Sequence, residues 1–200
     1  MMKYLLLIGC LLFSAVAGAA PTILVIGDSL SAGYGIAQKS GWVSLLQQRL
    51  EQEKSNYSVI NASLSGETTS GGLARAEALL AQPRPAIVIL ELGCNDGLRG
   101  LPLDAVRRNL AAIIQMSKVR KARVLLVGMK LPPNYGAAYT RQFEDNYRQL
   151  ASQFKIALVP FLFEGFAEKR DWFQADGLHP TAAAQPALLE NVWSRLKPML

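Results

Sequence analysis

Ser29 stands where an apolar run stops. In "VIGDSLSAGYG", residues 25–35, aliphatic side chains give way to Gly27-Asp28-Ser29 and then to more glycines. The triplet has two readings. Gly, Asp and Ser are turn residues; a serine at a strand end is also well placed to act as a nucleophile. Its hydroxyl attacks a carbonyl only when a base takes the proton. The chain has a single histidine, His179, so any serine–imidazole chemistry passes through it. An imidazole base needs an acid to fix its tautomer and stabilise its cation. Asp176 lies three residues earlier, in "DGLHP", with Gly177 to relieve the backbone and Pro180 to stiffen the chain after the histidine. Acyl transfer also builds an oxyanion that needs preorganised donors. The backbone N–H of Ser29, the backbone N–H of Gly66 and the side-chain amide of Asn95 are candidates. Taken singly, each feature has a plain structural reading. Asp176 and His179 alone read as a helix cap beside a surface imidazole, and Ser65-Gly66 and Gly93–Gly97 read as turns.

The elements that must position these residues alternate along the chain. Apolar strands are expected over 22–26, 57–61, 86–92, 122–129 and 156–160. Helical spacing appears at Trp42, Leu45, Leu46, Arg49 and Leu50, over 71–81, at Leu103, Val106, Leu110, Ile113 and Ile114, and over 138–154 and 182–196. Strands with no polar face, separated by helices, imply a parallel sheet covered on both sides. Five of them suggest a flavodoxin-like three-layer α/β/α sandwich with a five-stranded parallel sheet. Sites in such sheets form at the carboxyl ends of the strands. Ser29, Gly66 and Asn95 follow the first, second and third strands, and Asp176 and His179 lie beyond the fifth, so this topology brings all of them to one rim. No repeat, linker or low-complexity tract interrupts the pattern. Residues 20–200 are expected to form one domain.

Composition narrows the class. Half of the 200 residues are hydrophobic, too many for a disordered chain. Part of that excess lies in "MMKYLLLIGCLLFSAVAGAA", a lone Lys3, an apolar run and then small residues. This is the plan of a secretory signal peptide, with cleavage expected after Ala19 and export of the mature chain. Leu7-Ile8-Gly9-Cys10 resembles a lipoprotein box, but cutting before Cys10 would leave almost no apolar region, so anchoring there is not expected. Removal of residues 1–19 leaves Cys94 as the only cysteine, so no internal disulfide forms. With one histidine and no cysteine pair, no metal site is expected, and no cofactor is implied. The net charge of +6 comes from scattered basic residues with one modest cluster over 118–123. No basic stripe is interleaved with aromatics, so nucleic acid is not expected as a partner. A transient contact with a membrane surface fits the basic balance, and a monomer is expected.

The motifs together resemble the GDSL, or SGNH, hydrolase family. "GDSLSAGYG", the glycine of "NASLSGETTSGGLAR", the asparagine of "ELGCNDGLRG" and the histidine of "DGLHP" match its four eponymous positions at Ser29, Gly66, Asn95 and His179, and Asp176 matches the acid of the triad. The resemblance covers essentially the whole mature chain. With "LPPNYG", residues 131–136, it is closest to the family's bacterial multifunctional thioesterase and lysophospholipase branch. It implies a Ser29–His179–Asp176 triad, an acyl-enzyme, and small-molecule acyl ester, acyl thioester or lysophospholipid substrates. Alternatives on the same scaffold are an arylesterase or a carbohydrate deacetylase. A non-catalytic exported lipid-binding protein is the reading from another class. That branch usually has glycine at position 94; Cys94 is read as a packed, inert side chain. Asp28 is assigned to the strand-end turn. Leu98, Leu101, Leu131 and Tyr135, on two loops that leave the same rim, are expected to line the acyl groove, the first loop closing over bound chains.

Overall fold

The computed structural model describes residues 20–200; the expected signal peptide and the Cys10 box lie outside the described residues. Five strands form one parallel sheet in the order β2-β1-β3-β4-β5. They are β1 (Thr22–Gly27), β2 (Ser58–Asn61), β3 (Ile87–Glu91), β4 (Arg123–Val127) and β5 (Ala157–Val159). Every residue of β1 and β3 is buried, as expected of strands covered on both faces. The edge strand β2 is partly exposed.

Helices α2 (Trp42–Gln52) and α7 (Gln185–Leu196) pack together, and α3 (Thr69–Ala81), α5 (Leu103–Val119) and α6 (Ala137–Phe154) pack in succession. Right-handed crossovers account for this division. The connection from β1 to β2 runs one way along the sheet, and those from β2 to β3, β4 and β5 run the other, which puts their helices on opposite faces. The periodic side chains face the sheet as the spacing predicts. Trp42, Leu46 and Leu50 fill one layer with Leu188, Val192 and Leu196. Leu110, Ile113, Phe143, Tyr147 and Leu150 fill the other. The chain is thus the expected three-layer α/β/α sandwich. No helix among the described residues is long and apolar enough to cross a membrane.

Two short helices depart from the sequence expectation. Both "DSLSA" and "GCNDGL" read as turns, but Ser29–Ala32 forms α1 and Cys94–Leu98 forms α4. Asn, Asp and Gly are poor helix formers; tertiary contacts override them here. Asp96 accepts hydrogen bonds from the N–H and hydroxyl of Thr69 at the start of α3, at 2.9 and 2.7 Å. A Cβ on Gly97 would lie 2.7 Å from Leu131 and 2.8 Å from Phe143, so only glycine lets α4 sit this close to the core. The closing helix begins at Gln185 rather than 182, because residues 182–184 form a 3₁₀ turn.

Candidate active site

The strand order reverses direction between β1 and β3, the switch point where open α/β sheets build sites. Here β1 ends in Gly27, paired with Glu91 at the end of β3. Asp28 then caps α1, its Oδ1 accepting the Leu30 N–H at 3.0 Å. This makes Ser29 the first residue of α1, buried with its Oγ 2.8 Å from His179 Nε2. His179 Nδ1 lies 2.7 Å from Asp176 Oδ2. The other carboxylate oxygen accepts the backbone N–H groups of His179 and Leu178 at 3.0 and 2.8 Å. Those two backbone donors hold the Asp176 carboxyl down at about 2, so it is ionised at neutral pH. An ionised partner fixes the imidazole proton on Nδ1 and leaves Nε2 free to accept from the serine. Ser29, His179 and Asp176 therefore form one continuous chain of hydrogen bonds across residues 150 apart in sequence.

The segment carrying Asp176 and His179 has little regular structure. Arg170 donates to the carbonyls of Gln174 and Ala175 at 2.8 and 3.0 Å. An isolated antiparallel bridge joins Phe173 to Pro180. Gly177 takes φ +70, a left-handed turn that glycine adopts without strain. The segment's Trp172 and Phe173 pack ring against ring with Phe163 and Phe166.

The segments that carry the three candidate oxyanion donors are tied together through Asn95. Asn95 Nδ2 donates to Asp28 Oδ2 at 3.1 Å and to the Glu67 carbonyl at 3.0 Å. It thus bridges the residue before Ser29 and the residue after Gly66. Gly66 takes φ +79, and its carbonyl accepts from Arg99 at 3.2 Å. Neither the N–H of Ser29 nor that of Gly66 has a hydrogen-bond partner among the described residues. Both hydrogens of the Asn95 amide have acceptors, so an oxyanion there must share or displace one of them.

Behind the serine lie two buried acids, Asp28 and Glu91. Glu91 is fully buried; its Oε2 accepts the Ser31 hydroxyl at 2.7 Å and the Asp28 N–H at 3.3 Å. Burial, then the nearby Asp28 charge, pushes the Glu91 carboxyl well above its ordinary range. Burial also raises Asp28 to about 6, against the pull of the Leu30 N–H. Burial and then the charge of Asp28 push the Cys94 thiol well up, so it is a neutral packed group and a poor nucleophile.

A cavity of about 540 Å³ opens beside Ser29, Asn95 and His179. Leu98 and Leu131 line it. Leu101 and Tyr135 do not. The Tyr135 hydroxyl donates instead to the Leu98 carbonyl at 2.9 Å, pinning the loop from behind, and the Leu101 side chain is exposed while its carbonyl accepts from Tyr139. The sequence pattern did not single out Met129, Phe161, Phe163 and Phe173, which make much of the apolar wall. The aromatic run "FLFEGF" after β5 was the available signal.

The profile of the GDSL-like Lipase/Acylhydrolase family matches residues 25–186. The chain is 52% identical to esterase TesA of Pseudomonas aeruginosa across the full length of both. It is 42% identical to thioesterase 1/protease 1/lysophospholipase L1 of Escherichia coli, over 92% of this chain and 87% of that one. A crystal structure of TesA superposes with a TM-score of 0.88 at 53% identity, covering 90% of this chain and 99% of that one. The protein is a serine hydrolase. It belongs to the GDSL-like lipase/acylhydrolase family.

Proposed function

We propose that the protein is a periplasmic esterase and thioesterase that cleaves acyl esters, acyl thioesters and lysophospholipids through a Ser29–His179–Asp176 triad. The observation that carries this reading is the pair of contacts at 2.8 and 2.7 Å that joins the serine, imidazole and carboxylate. Ser29 Oγ attacks the acyl carbonyl as its proton passes to His179 Nε2. The oxyanion takes hydrogen bonds from the N–H groups of Ser29 and Gly66 and from the Asn95 amide. Collapse of the tetrahedral intermediate expels the alcohol or thiol, which takes the proton back from His179. Water then attacks the acyl-serine, again giving its proton to the imidazole; collapse of the second intermediate expels Ser29 Oγ, which takes that proton back from His179 as the carboxylic acid leaves. Asp176 stays ionised throughout, orienting the ring and stabilising its cation. The acyl chain lies in the cavity beside Leu98 and Leu131. Each methylene buried there contributes about 0.8 kcal/mol.

The substrate classes rest on the activities for which the relatives are named, and the apolar wall of the cavity supports them. Export rests on the composition of residues 1–19, and the basic balance of the chain supports a transient membrane-surface contact. Replacement of Ser29 by alanine tests the central reading. Ser29→Ala should lose turnover of a p-nitrophenyl ester and lose labelling by a fluorophosphonate probe, with an unchanged melting temperature. Near wild-type turnover in the folded variant would pass the role to another serine.

A further inference from the structure

Proton transfer from Ser29 to His179 depends on a distance of 2.8 Å between two loops that are remote in sequence. The hydrogen bond itself cannot hold that distance, because the proton must leave it in each cycle. Something else must keep the loops together. The anchor between Trp42 N–H and Gln185 Oε1 lies at the starts of α2 and α7, outside both loops.

Gln174 spans the gap. Its Nε2 donates to the carbonyl of Tyr34 at 2.8 Å, across 140 residues, and to the carbonyl of Pro180 at 3.2 Å. Its backbone N–H donates to the carbonyl of His179 at 2.8 Å. One residue therefore grips His179 and Pro180 and reaches over to the nucleophile's loop. On that side, the N–H of Tyr34 donates to the carbonyl of Ser29 at 3.1 Å, so the connection to the serine's own backbone passes through a single residue. The Tyr34 ring lies against the imidazole, with centroids 4.5 Å apart. Gly35 takes φ +74, and a Cβ there would lie 2.2 Å from Gln174 Oε1. The glycine thus leaves room for the amide. Gln174 is not among the residues that line the cavity.

The geometry points to Gln174 as a positioning residue for catalysis, clamping the acid–base loop onto the nucleophile loop through the Tyr34 carbonyl, with Gly35 as the space it needs. This rests on the triad reading. The amide touches neither substrate nor the reacting atoms, so it acts on alignment, where an error of about 1 Å costs about 10²-fold.

Gln174→Ala should lower kcat for a short p-nitrophenyl ester by about 10- to 100-fold, with KM within about twofold, because only the aligned state loses. Fluorophosphonate labelling should slow in parallel. Gln174→Glu keeps the volume but sets an ionised acceptor against two carbonyls, so it should match the alanine variant and serves if that variant folds poorly. Gly35→Ala separates a clamp from a merely structural residue. It should cost activity in the wild-type background and clearly less in the Gln174→Ala background, where the clash is gone. A kcat for Gln174→Ala within twofold of wild type overturns the proposal. So does a raised KM at unchanged kcat, which would make Gln174 a substrate contact, and so do losses that multiply independently at positions 35 and 174. Ser29→Ala is run alongside. If it stays active the triad reading fails; if it is inactive while Gln174→Ala is normal, only the clamp fails.

Discussion

Asp28 and Asp176 are the same residue type on the two sides of one hydrogen-bonded serine and histidine, and they sit in opposite surroundings. Asp28 is buried at the end of β1, beside Glu91, and burial raises it to about 6. Asp176 is exposed on an irregular segment, yet two backbone N–H groups hold it at about 2. The Ser29 side is held by strand register and by a buried Glu91 whose carboxyl accepts from Ser31 and Asp28. The His179–Asp176 side is held by local hydrogen bonds, an aromatic cluster and the Gln174 bridge. Backbone donors that face a carboxylate thus hold it charged even on an irregular surface segment. Behind Ser29, Asp28 and Glu91 are buried where each serves as a hydrogen-bond acceptor, Asp28 for the Leu30 N–H and Glu91 for the Ser31 hydroxyl.

Three substitutions sharpen or break this contrast. The largest effect is expected for Asp176→Asn. It removes the charge that fixes the imidazole tautomer and should lower kcat by up to about 10⁴-fold. A loss of tenfold or less in steady-state kinetics would reduce Asp176 to a cap and erase the functional difference between the two acids.

Next is Asn95→Ala, at the junction between the Asp28 and Glu67 segments. It should cost about 10²–10³ in kcat with little change in KM, since the donor acts mainly on the transition state. A change confined to KM would move Asn95 to substrate binding and leave the N–H groups of Ser29 and Gly66 as the oxyanion donors.

The smallest effect is expected for Glu91→Gln. Glu91 has a folded-state pKa raised above its unfolded value of 4.5. The folded state therefore keeps a proton that the unfolded chain releases. Its contribution is fully present below about pH 4.5 and declines as pH rises toward the folded-state pKa. Glutamine keeps the oxygen that accepts from Ser31 and Asp28 but removes the ionisation. Stability at pH 7 should be unchanged within about 1 kcal/mol or raised, and urea melts from pH 5 to 8 should show a weaker loss of stability than in the wild type. A large loss at every pH would mean that Glu91 works as a charged residue, contrary to its full burial behind the serine.

The amino-acid sequence by itself determined the sandwich, because the patterns that specify it are local. Near-continuous apolar runs such as 86–92 fit strands buried on both faces, and the spacing of Leu103, Val106, Leu110 and Ile113 fits one helical face. It also limited the chemistry, because a chain with one histidine leaves one candidate base. Tertiary structure decided what depends on partners distant in sequence. It made a helix of "CNDGL" by setting Asp96 on Thr69 and fitting Gly97 against Leu131 and Phe143. It turned Tyr135 to the back of the Leu98 loop and brought Phe161, Phe163 and Phe173 to the cavity. It made Asp28 and Asp176 different acids. Nothing within a few residues of Gln174 shows that its amide reaches the carbonyl of Tyr34. Periodicity encodes which face of an element is buried, but not which side chain from the far end of the chain will meet it there.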